Sequence, residues 1–356
     1  MKFGIFQLLH SADKGPAKEV YDNALEQARL ADELGFEGVW LAEHHFSSYG
    51  YSPNPLTFAV KIADQTKNLR IGTAVVVLPL YHPLRLAEEI ALTDQLTDGR
   101  LDVGLGRGYQ RYEFERLGLE LDDSRPMFDE ALEIIKLALT QESFSYDGEY
   151  YQIPETTIFP RPIQQPHPPF WIAAQAPASI VDTVQRGYNC ITGGSSAPSG
   201  RVLQSWEVFR DAVNEAGIGW PQEFTIQSQV HVAENDESAR KQTQNALWHL
   251  RSAGALRANT QKVVDGLAIE QEQPNEPDPN LMYDEWLIFG DAETAHRKLQ
   301  RLLDTTGITY LNCVFAIGRL EHKQVMKSME RFARDVMPHF KDKAGLSGAV
   351  EAKATT

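Results

Sequence analysis

The chain predicts an α/β fold built as a (β/α)8 TIM barrel, and three observations point to it. Short apolar, β-branched runs alternate with helical stretches along almost all of the 356 residues, and the connections between runs are too long for hairpins. Such strands must lie parallel, joined by crossover helices. The runs fall near residues 2, 39, 71, 101, 170, 189, 226 and 310, about eight in all, the number that closes a barrel. The run Val39-Trp40-Leu41-Ala42 stops abruptly in Glu43-His44-His45-Phe46. Barrel enzymes place ionisable side chains at the C-terminal tips of buried strands in this way. An open doubly wound sheet is the alternative topology, and a polar strand end that only bonds to a loop is the plainer reading of the histidines.

Lys2–Phe6 alternates as a strand from the outset. Glu19–Leu34 has helical spacing, with Val20, Ala24, Leu25, Ala28, Ala31 and Leu34 on one face and Gly35 as its stop. After strand Val39–Ala42, Pro55 opens a helix to about Thr66, a position where proline loses no hydrogen bond. Arg70–Leu78 is a β-branched run, Leu84–Leu96 a helix and Leu101–Leu105 a strand. Arg125–Thr140 is helical, and Phe144–Ile153 predicts a hairpin turning at Asp147-Gly148. The prolines between Gly148 and Pro169 mark an extended loop and not a linker, because strand Phe170–Ala174 follows at once. Helix 178–186, strand 189–192, helix 200–216, strand 224–232 and helix 236–251 continue the alternation. Ser252–Glu285 has little periodicity and reads as a mobile insertion. A helix from Ala292, strand Tyr310–Phe315 and helix 322–337 complete the pattern. Residues 1–340 thus read as one domain and 341–356, small and polar, as a disordered tail.

Apolar residues at 42% and charged residues at 23% are the balance of a soluble protein with a large core. A formal charge of −15 argues against nucleic acid or an anionic membrane as partner. No stretch approaches the roughly 18 apolar residues of a spanning helix. Cys190 and Cys313 each lie inside an apolar run; they make neither a disulfide framework nor a zinc site and suit a reducing cytosol. With no charged-then-apolar leader, a cytoplasmic location is expected.

Strand ends supply the candidate chemistry. His44 and His45 are adjacent and point to opposite sides of a strand, so a shared metal is not expected. There is no Gly-x-Ser-x-Gly elbow. The turn Gly104-Leu105-Gly106-Arg107-Gly108 offers exposed amides and a guanidinium suited to phosphate. Its glycine spacing is wrong for a dinucleotide fingerprint. Gln175-Ala176-Pro177-Ala178-Ser179 opens a helix whose free N–H groups and dipole favour an anion. Taken singly, each also reads as an ordinary turn or helix start. Together they make a phosphate clamp across a barrel mouth.

Beyond these, Met1-Lys2-Phe3-Gly4, Glu43-His44-His45-Phe46, Gly72–Pro79, His82-Pro83-Leu84-Arg85, Asp94-Gln95-Leu96, Gly99-Arg100, Arg107-Gly108, Ala174–Ser179 and Thr306-Gly307-Ile308-Thr309 resemble, in order, the bacterial luciferase family of flavin-dependent monooxygenases. The resemblance implies a luciferase-like barrel that receives reduced FMN (FMNH2) from a separate NAD(P)H:flavin reductase. The flavin reacts with O2 to a C4a-hydroperoxide, which oxygenates a small, apolar organic substrate such as an aldehyde or ketone. By position, Arg107 would hold the phosphate with the amides of Gln175 and Ala176 and with Ser179. Ala74-Val75 would be a non-proline cis peptide against the isoalloxazine, with Tyr109 and Thr192 also near the cofactor. His44 would be the acid/base residue, with His45 and Glu43 shaping its surroundings; histidine is the side chain suited to proton transfer near neutrality. Phe6, Leu8, Tyr109, Trp171, Thr192 and Trp248 are the candidate substrate-pocket residues, 252–285 the candidate lid, and helices 55–66 and 84–97 a homodimer face. Gly106 stands where luminous members carry a reactive cysteine, Ala176 where they carry a serine and Gln175 where they carry a glutamate, so light emission is not expected. The alternatives within the resemblance are an F420-dependent hydride-transfer enzyme and a non-catalytic flavin-binding subunit.

Overall fold

In the computed structural model, which describes residues 1–192, 199–217 and 223–341, the strands close into a parallel barrel. In chain order they are β1 (Lys2–Gln7), β2 (Gly38–Leu41), β3 (Arg70–Thr73), β4 (Leu101–Gly106), β5 (Phe170–Ala173), β6 (Asn189–Thr192), β7 (Phe224–Val232) and β8 (Tyr310–Val314). Each pairs in parallel with the next, and Tyr310 of β8 sits opposite Lys2 of β1, which closes the ring. The open doubly wound alternative is thereby excluded.

Alternation along each strand separates two layers. Phe3, Ile5, Val39, Leu41, Ile71, Cys190, Ile226, Val230, Leu311 and Cys313 belong to one continuous cluster between the strands and their covering helices. Both cysteines are buried and free. The opposite parity points into the barrel, where Trp40, Trp171, Ile191 and Tyr310 form a separate cluster. Trp40 Nε1 donates to the Tyr310 hydroxyl at 2.9 Å, and the Trp40 and Trp171 rings meet edge to face at 5.0 Å. Beside them the Arg70 guanidinium grips Asp102 through Nε at 2.7 Å and Nη2 at 3.0 Å. These residues fill the foot of the barrel. Gly72 is required there, because a Cβ at that position would overlap the Trp40 indole.

Higher up on β2 to β5, inward positions are small. Ala42, Ala74, Gly106 and Ala173 leave a hollow at the C-terminal face, the face that carries active sites in this fold. The expected pocket residue Trp171 is not there: it is the second residue of β5 and belongs to the foot.

Several expected boundaries move. The helix expected over 236–251 is two, Asp236–Arg240 and Thr243–Arg257. The helix over 322–337 is His322–Arg331 followed by a wider turn, Phe332–Val336, and then Pro338–Lys341. Lys341, assigned above to the tail, is therefore helical, and its Nζ donates to Gly35 O at 2.6 Å; residues 342–356 lie outside the described residues. A short extra strand, Ile288–Gly290, adds to the upper end of β7. Three residues are too few for any alternation to be read.

The irregular segment is partly built. A hairpin pairs Val263–Val264 with Leu267–Ala268, and Arg251 holds the following loop by a two-pronged pair with Glu276 at 2.8 and 2.9 Å and a third bond to Glu270 at 2.9 Å. The hairpin sits on the loop that follows β2: Ser48 N–H donates to Gly266 O at 2.7 Å, and Ala268 N–H donates to Ser48 Oγ at 3.1 Å.

Candidate active site

The tip of β2 turns its two histidines in opposite directions, and each finds a carboxylate. His45 Nε2 lies 2.8 Å from Glu43 Oε1, and the other Glu43 oxygen accepts Val77 N–H at 2.9 Å. The Tyr81 hydroxyl also bonds to this carboxyl group. Burial pushes the Glu43 carboxyl above the ordinary carboxylate range, against the opposing pull of His45, Val77 N–H and the Tyr81 hydroxyl. Burial opposes a charged His45 as well; the bond and charge of Glu43, with Glu113 nearby, overcome it and hold the imidazole above its ordinary range.

His44 faces the hollow. Its Nδ1 lies 2.8 Å from Gln110 Nε2 and 3.2 Å from Glu113 Oε1, while Nε2 makes no hydrogen bond among the described residues. Glu113 also accepts the backbone N–H of His45 at 2.8 Å. An aromatic wall continues from the ring: Tyr49 edge-on at 4.7 Å and Tyr109 at 6.4 Å, then Trp248 stacked over Tyr49 at 6.2 Å. The Tyr49 and Tyr109 hydroxyls are bonded to each other, and Arg257 lies 5.4 Å above the Tyr109 ring. Leu8 and Trp248 belong to this cluster, and Phe6 packs against it.

On the next strand the Ala74-Val75 peptide is cis, as expected from the resemblance. A Cβ at Gly106 would come within 2.5 Å of Val75 Cγ2, so β4 must be bare there for Val75 to sit as it does. Arg107 follows at the tip of β4, exposed, with no ion pair among the described residues. β5 is the neighbouring strand, Leu105 opposite Ile172, so the Gln175–Ser179 turn lies beside Arg107. Gln175 and Ala176 are exposed and Ser179 is half-buried, and Pro177 opens the helix Pro177–Gln185. Thr192 ends β6 with its hydroxyl buried and unbonded; Gly193, Gly194, Ser195 and Ser196, which follow it, lie outside the described residues.

Every residue named from the sequence as catalytic or cofactor-binding is thus at the C-terminal face. Missed were Gln110 and Glu113, which come just after the glycine-rich turn. Glu113 is on a single short helix, Arg111–Arg116, and only 3% exposed. Its one signal was an acid directly after a strand tip, too common to single out. Tyr49 and His10, which stacks on Trp248 at 4.8 Å, were also missed.

A sequence profile described as luciferase-like monooxygenase matches residues 1–310. The chain belongs to the luciferase-like monooxygenase family. Within it, the chain is 30% identical to the oxygenase component of flavin-dependent trigonelline monooxygenase from Acinetobacter baylyi, over 96% of each chain. It is 26% identical to the alkanal monooxygenase alpha chain of Photorhabdus luminescens, over 98% of this chain and 99% of that one. Among solved structures, monooxygenase RslO1 from Streptomyces bottropensis superposes with a TM-score of 0.84 at 28% identity, covering 96% of this chain and all of the other (100%). The oxygenating constituent of 3,6-diketocamphane monooxygenase from Pseudomonas putida, in complex with FMN, shares the fold at a TM-score of 0.79 and 21% identity. These relatives make the family one of flavin-dependent oxygenases. No helix among the described residues is long and apolar enough to cross a membrane.

Proposed function

We propose that this chain is the oxygenase component of a two-component monooxygenase. It would take reduced FMN from a separate NAD(P)H:flavin reductase and use O2 to oxygenate a small, largely apolar organic molecule such as an aldehyde or ketone. One observation carries the reading: an exposed, unpaired Arg107 beside the free turn Gln175–Ser179, in the same mouth as His44.

The residues present fit the cofactor. Arg107 supplies a fork-shaped cation, the Gln175 and Ala176 N–H groups and the Ser179 hydroxyl are free to donate, and the nearby helix dipole favours phosphate. Val75 packs over Gly106, so the Ala74-Val75 peptide borders the hollow where the ring would lie. Bound reduced flavin would supply the electrons and the reaction with oxygen. The protein's part is to orient, to exclude water and to move a proton: His44 offers Nε2 to the hollow, and the Tyr49, Tyr109 and Trp248 wall keeps that nitrogen in an apolar setting. The hairpin latched on Ser48 serves as the cover. The name of the trigonelline relative, an oxygenase component, supports a separate reductase.

A homodimer belongs to the same reading. Leu92 (48% exposed) and Leu96 (53%) lie one turn apart on the helix Pro83–Leu96, next to exposed Phe159 and Ile163 of a loop that Gln95 ties down through Arg161 O at 2.8 Å. Such a patch suits a second copy; a monomer by light scattering at micromolar concentration would refute it.

The deciding experiment is stopped-flow absorbance after protein with photoreduced FMN meets oxygenated buffer. A transient that lasts far longer than in protein-free buffer, and is lost in Arg107→Ala, supports the reading. Immediate return to oxidised FMN refutes it, and tight F420 binding in that case would mark a hydride-transfer enzyme.

A further inference from the structure

We propose that Glu113 and Gln110 compete for one nitrogen of His44, and that Glu113 wins by holding the proton on Nδ1, which leaves Nε2 as a free base facing the hollow. The use of this base in turnover rests on the function proposed above. The proton's position does not, since it belongs to the protein alone.

The competition follows from donor chemistry. Gln110 Nε2 can only donate and the Glu113 carboxylate can only accept, yet both lie within reach of His44 Nδ1, at 2.8 and 3.2 Å. A single ring nitrogen cannot accept from one and donate to the other at once. Gln110 therefore favours the tautomer with its proton on Nε2, and Glu113 the tautomer with its proton on Nδ1.

Three features favour Glu113. Its Oε1 is fixed as an acceptor by the His45 N–H at 2.8 Å, a donor that cannot reverse its role. It is buried, so its bond to the ring is a charge-assisted one in a poorly screened setting, stronger than a bond from a neutral amide. Gln110 has somewhere else to turn: its Nε2 also reaches the Tyr109 hydroxyl at 3.4 Å. The other groups around the ring are the neutral Tyr49 and Tyr109, the Glu43–His45 pair behind it, and Arg257 on the far side of Tyr109.

The arrangement gives His44 a direction. When Nε2 takes a proton from a reacting group, the new N–H bond forms on the side of the hollow, and the positive charge appears next to Glu113. The same proton can be returned from the same atom. Without Glu113 the ring would present N–H at Nε2 and could donate but not accept. Glu113 and Gln110 are positioning residues; neither faces the reacting atoms.

Nitrogen NMR of ligand-free protein carrying 15N-histidine reads the tautomer directly, with the His44 signal assigned by its loss in His44→Gln. The expected result is Nδ1–H in the parent, a tautomer ratio shifted at least tenfold toward Nε2–H in Glu113→Gln, and the parental ratio restored in Glu113→Asp. Gln110→Leu removes the competitor and must leave Nδ1–H in place, which keeps the test open should Glu113→Gln fail to fold. A parent protein with Nε2–H, or a Glu113→Gln protein that stays Nδ1–H, overturns the proposal. A stopped-flow arm separates the two readings. If the tautomer shifts as expected but the FMN transient decays at the parental rate, the proton's placement stands and His44 loses its part in the chemistry. If the decay slows about 10- to 100-fold with FMN affinity unchanged, both stand.

Discussion

Val77 N–H donates to the Glu43 carboxylate at 2.9 Å, so the acid at the tip of β2 is tied to the strand segment just past the Ala74-Val75 peptide. Two neighbouring strand ends are thereby held in register at the point where each contributes to the mouth. Glu43→Gln replaces one acceptor oxygen with a donor that must face either Val77 N–H or His45. A loss of about 1–3 kcal/mol is expected, read as a lower urea midpoint with an unchanged slope. An unmoved midpoint would mean that this bond does not support the site.

Arg107 is the cation on which the cofactor reading turns. Arg107→Ala should weaken FMN by about 1.5–3 kcal/mol, roughly ten- to a hundredfold, as the loss of a charged hydrogen-bonding group implies. Fluorescence titration with FMN measures it, and high salt should narrow the difference. Equal affinities would move the phosphate elsewhere.

His44 should behave in the opposite way. His44→Asn should bind FMN as the parent does, yet slow the proton-dependent step by about 10²–10⁴, the usual contribution of a general acid or base. A variant that loses affinity and rate together would make His44 a structural residue of the pocket.

The barrel was legible because its two signals are strong: β-branched runs separated by helical stretches, and ionisable residues at the strand tips. Arg107, His44 and the Gln175–Ser179 turn followed from asking what stands at those tips. Glu113 and Gln110 were not legible, because their partner lies 66 to 69 residues away and is reached only through folding. Trp171 was placed at the mouth because its strand was known but not its height in the barrel. That height depends on the stagger between strands, which no single strand's sequence records. The break in helix 236–251 escaped for a similar reason, as neither glycine nor proline marks it.

His231 makes an acid-lability prediction. Burial, with Arg331 nearby, lowers its pKa from 6.5 to about 4, and its Nδ1 has no partner. Between these values the unfolded chain holds a proton that the folded one refuses. Stability therefore falls as pH drops from 6.5 toward 4, by about 1.4 kcal/mol per unit. His231→Leu should flatten that slope while changing stability little at pH 7, where removal of an unsatisfied polar atom offsets the change in shape. Denaturation midpoints across this range test it; parallel slopes would refute it.

Arg251 gives the segment proposed as a cover a handle. Its bonds to Glu270 and Glu276 anchor the loop beyond the Val263–Ala268 hairpin. Arg251→Ala should speed limited proteolysis within 259–278 several-fold, with the barrel fragment surviving and FMN affinity retained. Unchanged cleavage would show that the hairpin's hold on Ser48 suffices alone.

The Arg70–Asp102 pair and the rings of Trp40, Trp171 and Tyr310 seal one end of the barrel. A vessel with a single door makes its visitors queue. On the function proposed above, whatever enters the hollow must leave again through the C-terminal face, since side chains fill the far end.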